Sequence, residues 1–202
     1  MNSELHTFLR TRRSVRRFKA DAIPISTIQR ILQTATYAPS AHNLQPWRFV
    51  VLTNPKIKSR LSETITTRFR QDMVTDGISE TEVNVRIERT TRRIQDTPAL
   101  VILCHDSLQV TPQPDAIGQA AEAVMGIQSV ASAGMQFLLA AHAEGLGATW
   151  ICWPLFAPKE VRAALDLPEE WEPQGMVFLG YPAESPNTPE RVPLDSLVRW
   201  IL

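Results

Sequence analysis

Apolar positions recur along the chain with two periods, one typical of helices and one typical of buried strands. Segment 23–40 repeats them every three to four residues, which predicts a helix capped by Ser26 and ended where Ala38 precedes a proline. Near-continuous apolar runs predict four buried strands, at 47–53, 99–105, 147–153 and 174–182. Because such runs are apolar on both faces, we expect a sheet that is covered on both sides.

Segment 54–97, between the first two strands, is polar. It predicts two helices joined at the turn signal Asp76-Gly77, with Ser79 and Glu82 capping the second helix. That second helix carries a series of arginines, which we interpret as a solvated helix face balanced by neighbouring glutamates. The arginines are Arg86, Arg89, Arg92 and Arg93.

Segment 115–145 has the strongest helical pattern. Asp115 is a suitable N-cap, and Gly145 suits a left-handed stop. An unbroken apolar stripe at helical spacing is formed by Ile117, Ala120, Ala121, Val124, Ile127, Ala131, Gly134, Leu138 and Ala141. A helix this long and apolar is expected at the centre of the domain, with part of its surface available for a dimer interface.

The order of these elements predicts one α+β domain over residues 1–202, built as a mixed β-sheet covered by helices. A shorter helix is predicted at 157–168. The tail after Tyr181 is rich in proline and ends in apolar residues. Such a tail needs a surface to cover, and a partner subunit can supply one.

The composition is that of an ordinary globular protein. Hydrophobic residues make up 44% of the chain, and basic and acidic residues balance at 21 each. No apolar run reaches the ~18 residues of a membrane span, and the N-terminus lacks the apolar core of a secretory signal. Cys104 and Cys152 form neither a CxxC pair nor a disulfide framework, so we interpret them as buried thiols. We therefore predict a cytoplasmic protein that does not contact membranes.

Against this neutral background, the stretch RTRRSVRRFK at 10–19 carries six basic residues and no acid. Charge alone allows its partner to be a nucleic acid, a membrane, a transport receptor or a small anion. The balanced total charge and the lack of a nucleic-acid-binding motif disfavour a nucleic acid. The sequence also lacks phosphate-loop, zinc and catalytic-serine motifs, which is compatible with a bound organic cofactor.

Four pieces of the sequence occur in an order that points to one family. RRSVR at 12–16 is followed by PSAHNLQPW at 39–47, by the long helix running into GLG at 145–147, and by GYP at 180–182 with Arg191 beyond it. In these motifs the chain resembles the nitroreductase family of FMN-dependent oxidoreductases over nearly its whole length. The resemblance implies a nitroreductase-like fold and an intertwined homodimer, with FMN in each of two clefts between the subunits.

The resemblance also implies how FMN is held at its phosphate end. That end would be bound by Arg12, Arg13, Ser14 and Arg191, and Arg16 would lie beside flavin N1 and O2. Guanidinium groups suit a phosphate because their fork of N–H donors matches its oxygens. A positive charge beside N1 stabilises the reduced, anionic flavin. One departure is Val192, where the family often has a second basic residue next to the arginine.

Two further segments complete the implied site. A loop with Ser40, Asn43 and Gln45 would contact the isoalloxazine or the ribityl chain of FMN, mostly that of the partner subunit's site. Flavin N5 and O4 would face the backbone amides of Gly147, Ala148 and Thr149, where the glycine would allow close approach. His42 would face the substrate, although an exposed loop histidine is an equal reading. The resemblance implies no catalytic side chain and no metal ligand.

The implied activity is hydride transfer from NAD(P)H through FMN to a small organic acceptor, such as a nitroaromatic or a quinone, by a ping-pong mechanism. Segment 54–97 would be a helical excursion that shapes the substrate cleft. Residues 147–181 look especially like the C-terminal flavin domain of the glutamyl ligases of coenzyme F420. A reductase acting on F420 or a precursor is therefore an alternative, with Arg89, Arg92 and Arg93 meeting an acidic tail. A non-catalytic flavin-binding protein is another.

Overall fold

The protein folds into six helices, four strands and three short 3₁₀ turns within residues 2–201, the part that the computed structural model describes. The helices are α1 (Asn2–Thr11), α2 (Ile25–Ala35), α3 (Pro55–Thr75), α4 (Glu80–Asp96), α5 (Ala116–Ala143) and α6 (Pro158–Leu165). The strands are β1 (Trp47–Leu52), β2 (Ala99–Asp106), β3 (Gly147–Ile151) and β4 (Trp171–Gly180). The 3₁₀ turns are Ala41–Asn43, Trp153–Phe156 and Leu194–Ser196.

The strands form one sheet in the order β1-β2-β4-β3. Every residue of the central strand β2 is buried. One core cluster joins the sheet to α2 and α5 around Phe137, and a second joins it to α3, α4 and α6 around Leu61 and Phe178. The sheet is therefore covered on both faces, as its apolar strand sequences predict, and the α+β class is confirmed.

The direction of the strands differs from the expected mixed sheet. Each pair of named strands is antiparallel. Among the residues described, the parallel pairing is an isolated bridge between Ser14 and Ala148. Continuous apolar runs cannot reveal strand direction, because a strand buried on both faces has the same composition whichever way it runs.

The helical hairpin α3–α4 agrees closely with the sequence pattern. Asp76 and Gly77 form the turn, with Gly77 in the left-handed region at φ +74°. The Ser79 hydroxyl accepts a hydrogen bond from the Glu82 amide at 3.4 Å and caps α4. The hairpin turn and the cap of α4 are both confirmed.

The ends of α5 are confirmed as well. The Asp115 carboxylate accepts a hydrogen bond from the Gly118 amide at 2.8 Å. After the helix, Gly145 adopts a φ of +72°, which glycine tolerates without steric cost. Both caps were visible in the sequence because they depend on residue type and spacing alone.

Two local predictions are wrong, and one helix was not predicted. Ser26 lies inside the first turn of α2, whose N-cap is Pro24. The Cys152 thiol is exposed, whereas Cys104 is buried and its burial raises its pKa to about 12. Helix α1 was not predicted, because its short sequence has no proline or glycine boundary and only three large apolar residues.

The two halves of α5 have different surroundings. Residues 129–143 pack on the sheet, with Phe137 and Ala141 fully buried. Residues 116–128 carry large apolar side chains that are exposed, namely Ile117, Val124 and Ile127. By length and composition α5 is the one described helix that passes the test for a membrane span. Residues 129–143 of this helix pack against the sheet, as a core helix of a globular domain does.

Candidate functional site

The basic stretch 10–19 leaves α1 and lies along the free edge of β3. The Val15 amide donates to the Ala148 carbonyl at 3.1 Å, and further along Phe18 forms a bridge to Pro182. Val15 is buried against Gly147, where an added Cβ would lie 2.6 Å from the Val15 Cβ. Alternate residues of an extended segment point to opposite sides. Burial of Val15 therefore turns its neighbour Arg16 away from the core.

A cavity of about 1230 Å³ opens beside this segment. Its walls come from residues 12–18, from the exposed side of α4 and from tail residues 183–191. Eight arginines line it, against three carboxylates. The arginines are Arg12, Arg13, Arg16, Arg17, Arg89, Arg92, Arg93 and Arg191. Such a concentration of like charge in one cavity indicates an anion-binding site.

The three carboxylates of the wall have cationic neighbours of their own. Glu184 pairs with Arg17 at 3.3 Å, and Glu88 pairs with Arg92 at 2.5 Å. Asp96 acts on the buried Lys58, whose pKa is lowered by burial and partly restored by that negative charge. Among the residues described, none of the three acids forms an ion pair with the remaining arginines.

Arg13 is used by the chain itself. Its Nη1 donates to the carbonyl oxygens of Arg10 and Arg12, the latter at 2.8 Å, and so satisfies groups at the end of α1. Its Nε is buried and has no partner among the residues described. Although Arg13 lines the cavity, its geometry fits a helix-end cap better than a free anion ligand.

Five arginines of the cavity form no ion pair or side-chain hydrogen bond within residues 2–201. They fall into two groups: Arg12 with Arg191, and Arg93 with Arg89 and Arg16. Burial, together with the charges of Arg191 and Arg13, lowers the pKa of Arg12. Burial, together with the charges of Arg89 and Arg16, lowers the pKa of Arg93. In each group the positive charges lie close enough to repel one another, and a bound anion would reduce that repulsion.

The structure brings together part of the predicted site. Arg12, Arg13, Ser14, Arg16 and Arg191 line the same cavity, although the tail and the N-terminal stretch are far apart in sequence. The tail reaches this position because the Ala183 amide donates to the Arg17 carbonyl at 3.1 Å.

The β3 residues lie differently. Gly147, Ala148 and Thr149 are buried and do not line the large cavity. Ala148 instead lines a smaller cavity of about 270 Å³, together with Arg12 and Arg13. The explanation offered for Gly147 changes: the close contact that excludes a side chain there is with Val15. Contact of these three amides with a flavin stays a prediction.

The Ser40–Gln45 loop also lies outside the cavity wall. The Ser40 hydroxyl accepts from the Gln45 amide at 3.1 Å, and the Ala41 amide donates to the Ser129 hydroxyl of α5 at 3.2 Å. Three residues of this loop have positive φ, with His42 at 51°, Asn43 at 56° and Gln45 at 50°. Such strain persists only where the surroundings hold it, and it is concentrated at functional sites.

His42 lies against a buried carboxylate. Its Nε2 is 3.5 Å from Glu122 Oε1, and Glu122 also accepts hydrogen bonds from the Thr111 amide and the Gln113 side chain. Sequence reasoning did not single out Glu122 as a site residue. It occupies a helical position where a carboxylate interrupts an apolar sequence, and that was the available signal.

Arg89 and Arg93 also line the cavity, whereas the sequence favours a solvated face for them and gives them a ligand role only under the F420 alternative. A signal was present in the spacing. Arg86 and Arg92 each have a glutamate four residues earlier and pair with it. The residues four before Arg89 and Arg93 are Val85 and Arg89 itself. Neither arginine therefore has an i,i+4 counter-charge on its own helix.

The model of the nitroreductase family matches residues 9–181, which cover all the helices and strands described above except the start of α1. This chain belongs to the nitroreductase family. A curated relative named NADH dehydrogenase, from Thermus thermophilus, is 33% identical over 200 residues, covering 94% of this chain and 92% of its own.

Solved nitroreductase-fold structures agree with the architecture. A BluB-like flavoprotein from Clostridium difficile superposes with a TM-score of 0.82 at 24% identity, covering 98% of this chain and 99% of its own. A nitroreductase crystallised with FMN, from Desulfovibrio desulfuricans, has a TM-score of 0.74 at 22% identity, covering 98% and 96%. At these identities the likeness establishes the fold. The narrower resemblance to F420 glutamyl ligases stays a prediction.

Proposed function

We propose that this chain is a cytoplasmic, FMN-dependent NAD(P)H oxidoreductase that reduces a small organic acceptor by a ping-pong mechanism. One observation carries the proposal: in a nitroreductase-family chain, Arg12, Ser14, Arg16 and Arg191 meet in one cavity although they come from distant segments. The Thermus relative's name and the FMN-bound neighbour support the same reading.

The residues of the cavity fit the chemistry of FMN. Its phosphate carries about −1.5 to −2 charges near neutral pH. Arg12 and Arg191, whose charges act on each other, offer guanidinium forks for such a group, and the Ser14 hydroxyl adds a donor. Arg16 has no carboxylate partner among the residues described and is free to face flavin N1 and O2.

Bound FMN would supply the redox chemistry, accepting a hydride from NAD(P)H and passing it to the acceptor in a separate half-reaction. The chain's own contribution is binding and positioning. Arginines hold the phosphate end, and the edge of β3 fixes the segment that carries them. Helix α4 of segment 54–97 forms one wall, where the acceptor would enter. No side chain is needed as a nucleophile.

The phosphate assignment is tested with Arg12→Ala and Arg191→Ala. Each removes charge-assisted hydrogen bonds worth about 1.5–3 kcal/mol, so FMN affinity should fall by about tenfold or more. Flavin occupancy is read from absorbance at about 450 nm in the purified protein. Arg86→Ala is the matched control, since Arg86 pairs with Glu82 and does not line the cavity. Full occupancy in both cavity variants would remove the assignment.

We also propose that the protein acts as an intertwined homodimer, in which Ser40, Asn43 and Gln45 of one chain complete the flavin site of the other. Within one chain these residues lie outside the cavity, and their loop contacts α5 at Glu122 and Ser129, where its exposed and buried halves meet. The exposed tail residues Leu197 and Trp200 offer further apolar contact.

Val124→Glu tests this arrangement, because Val124 is 52% exposed in the single chain. The charge is tolerated in a monomer and is costly in a buried interface. We expect sedimentation to show a dimer for the native chain and a monomer for the variant, with loss of FMN in parallel. Ile25→Glu, an exposed change on α2, should leave both unchanged. A variant that stays dimeric and flavin-loaded would place the interface elsewhere.

A reductase acting on F420 or its precursor is the second candidate, because the α4 arginines line the cavity. Anaerobic mixing separates the possibilities. Bleaching of the flavin by NADH or NADPH supports the first function, and turnover of F420 by the flavin-loaded protein supports the second. A flavin that no donor reduces would leave a non-catalytic flavin-binding protein.

A further inference from the structure

The cavity holds more positive charge than one flavin phosphate requires. Of its five arginines without partners in residues 2–201, Arg12 and Arg191 form the group proposed for the phosphate, and Arg16 is proposed for the flavin ring. Arg89 and Arg93 remain. They lie one turn apart on α4 and line the cavity wall. The proposed binding of FMN does not use them, and of the candidate functions the F420 alternative alone assigns them a role.

The arginines of α4 differ in whether they have an ion-pair partner on the helix. Arg86 and Arg92 are paired with Glu82 and Glu88 through i,i+4 ion pairs. Arg89 and Arg93 are themselves an i,i+4 pair of like charges, an arrangement that destabilises a helix. The repulsion is retained on the side of α4 that faces the cavity, where an anionic ligand would compensate it.

The position of Arg93 adds to this argument. It is half-buried, and the positive charges of Arg89 and Arg16 act on it together with desolvation. Glu88 pairs with Arg92, and Asp96 lies three residues after Arg93 on the same helix. Among the residues described, no acid of the cavity wall forms an ion pair with Arg89 or Arg93.

We propose that Arg89 and Arg93 form a second anion subsite, which binds an acidic substituent, a phosphate or a carboxylate, on the molecule that enters the cleft beside the flavin. The proposal rests on the proposed function, because it assigns a substrate class to the same site. The substituent can belong to the electron donor, as the additional phosphate of NADPH, or to the acceptor, as a carboxylate. Both are recognised by guanidinium forks.

The experiment is equilibrium binding to the purified protein by calorimetry, with two matched ligand pairs. NADP⁺ and NAD⁺ differ by one phosphate, and 4-nitrobenzoate and 4-nitrobenzamide differ by one negative charge. None of them reduces the flavin, so binding is measured without turnover. We expect the native chain to prefer the more anionic member of at least one pair. Arg89→Gln and Arg93→Gln should each weaken that member by about tenfold, the loss of one charge-assisted hydrogen bond, and leave the other member unchanged.

Arg86→Gln is the control on the same helix, because it removes one positive charge outside the cavity. It should not change the preference. Thermal melting gives a second readout: Arg89→Gln should raise Tm slightly by relieving repulsion, and Arg86→Gln should lower it slightly by breaking a pair. An effect confined to the nicotinamide pair identifies the donor's phosphate, and one confined to the nitro pair identifies the acceptor's carboxylate.

Two results overturn the subsite. In the first, neither pair distinguishes the variants from the native chain. In the second, the variants lose FMN instead, which would make both arginines flavin ligands. Failure of the proposed function is recognised separately, as a protein that binds no FMN. In that case the two ligand pairs are titrated against the flavin-free chain, and the subsite is again judged by whether Arg89→Gln and Arg93→Gln weaken binding of the more anionic ligand.

Discussion

The two halves of α5 show how one helix serves two environments. In residues 129–143 one side of the helix packs on the sheet: Phe137 is fully buried, and Gly134 lies against the Trp150 ring. In residues 116–128 the same apolar composition continues, yet Ile117 is 84% exposed. Composition is therefore a poor guide to burial within this chain. The second half packs on the sheet, and the first half leaves apolar side chains exposed, which is the surface that we propose for the dimer.

The largest effect is expected from Phe137→Ala compared with Ile127→Ala. Truncating a fully buried phenylalanine costs about 3–5 kcal/mol of unfolding free energy. Ile127 is 42% exposed in the single chain, so its truncation should cost within about 0.5 kcal/mol at low protein concentration. Urea denaturation measures both. If the Ile127→Ala cost grows with protein concentration, the first half is buried between copies.

A smaller loss is expected from Gly134→Ala. A Cβ at this position would lie 1.8 Å from Trp150 Cζ3 and 2.9 Å from Leu103 Cδ1, so the core must rearrange. Overpacking of this kind costs about 1–3 kcal/mol. Combining it with Trp150→Leu should give a double variant less destabilised than the sum of the two single ones, because the collision is removed. Strict additivity would show that Trp150 is not the obstacle.

The smallest effect concerns His142, near the end of the buried half. Its ring stacks on Phe8 at 4.9 Å between centroids, and its Nε2 is 3.2 Å from the Thr11 hydroxyl. Burial, and then the charge of Arg12, lowers the pKa of His142. The unfolded chain therefore binds this proton more readily, and stability should fall as pH drops below about 6.5.

Melting curves of the native chain and of His142→Gln, recorded from about pH 8 to about pH 5, isolate this contribution from the other histidines. The variant should lose less stability over that interval. An equal loss in the two proteins would mean that His142 does not contribute. Because Thr11 and Phe8 belong to α1, the native chain should first loosen at that contact in acid.

The elements that the sequence predicted correctly depend on local chemistry. The cap at Ser79, the stop at Gly145 and the four apolar strands all follow from residue type and spacing. Strand direction, the burial of Cys104 but not Cys152, and the exposure of Ile117 depend on which segments meet in space. The hydrophobic pattern of one segment does not show which other segment it contacts.

The same division applies to the site. Arg12, Ser14, Arg16 and Arg191 were recognised through motif order, and the structure places them on one cavity. Arg89 and Arg93 were given a ligand role only under the F420 alternative, because abundant glutamates on α4 suggested general compensation. Only the positions of those glutamates, one turn before Arg86 and Arg92, show that the compensation is selective.

The bridge between Ser14 and Ala148 has a consequence beyond the arginines it positions. Strand β3 pairs with β4 on one side, and its other side would be an open sheet edge. Open edges are templates for intermolecular strand pairing, and charged flanking residues protect against it. By covering this edge, the arginine stretch should also reduce aggregation. We expect a chain that begins after residue 19 to expose the edge of β3 and to self-associate, even if every helix and strand of its core still forms.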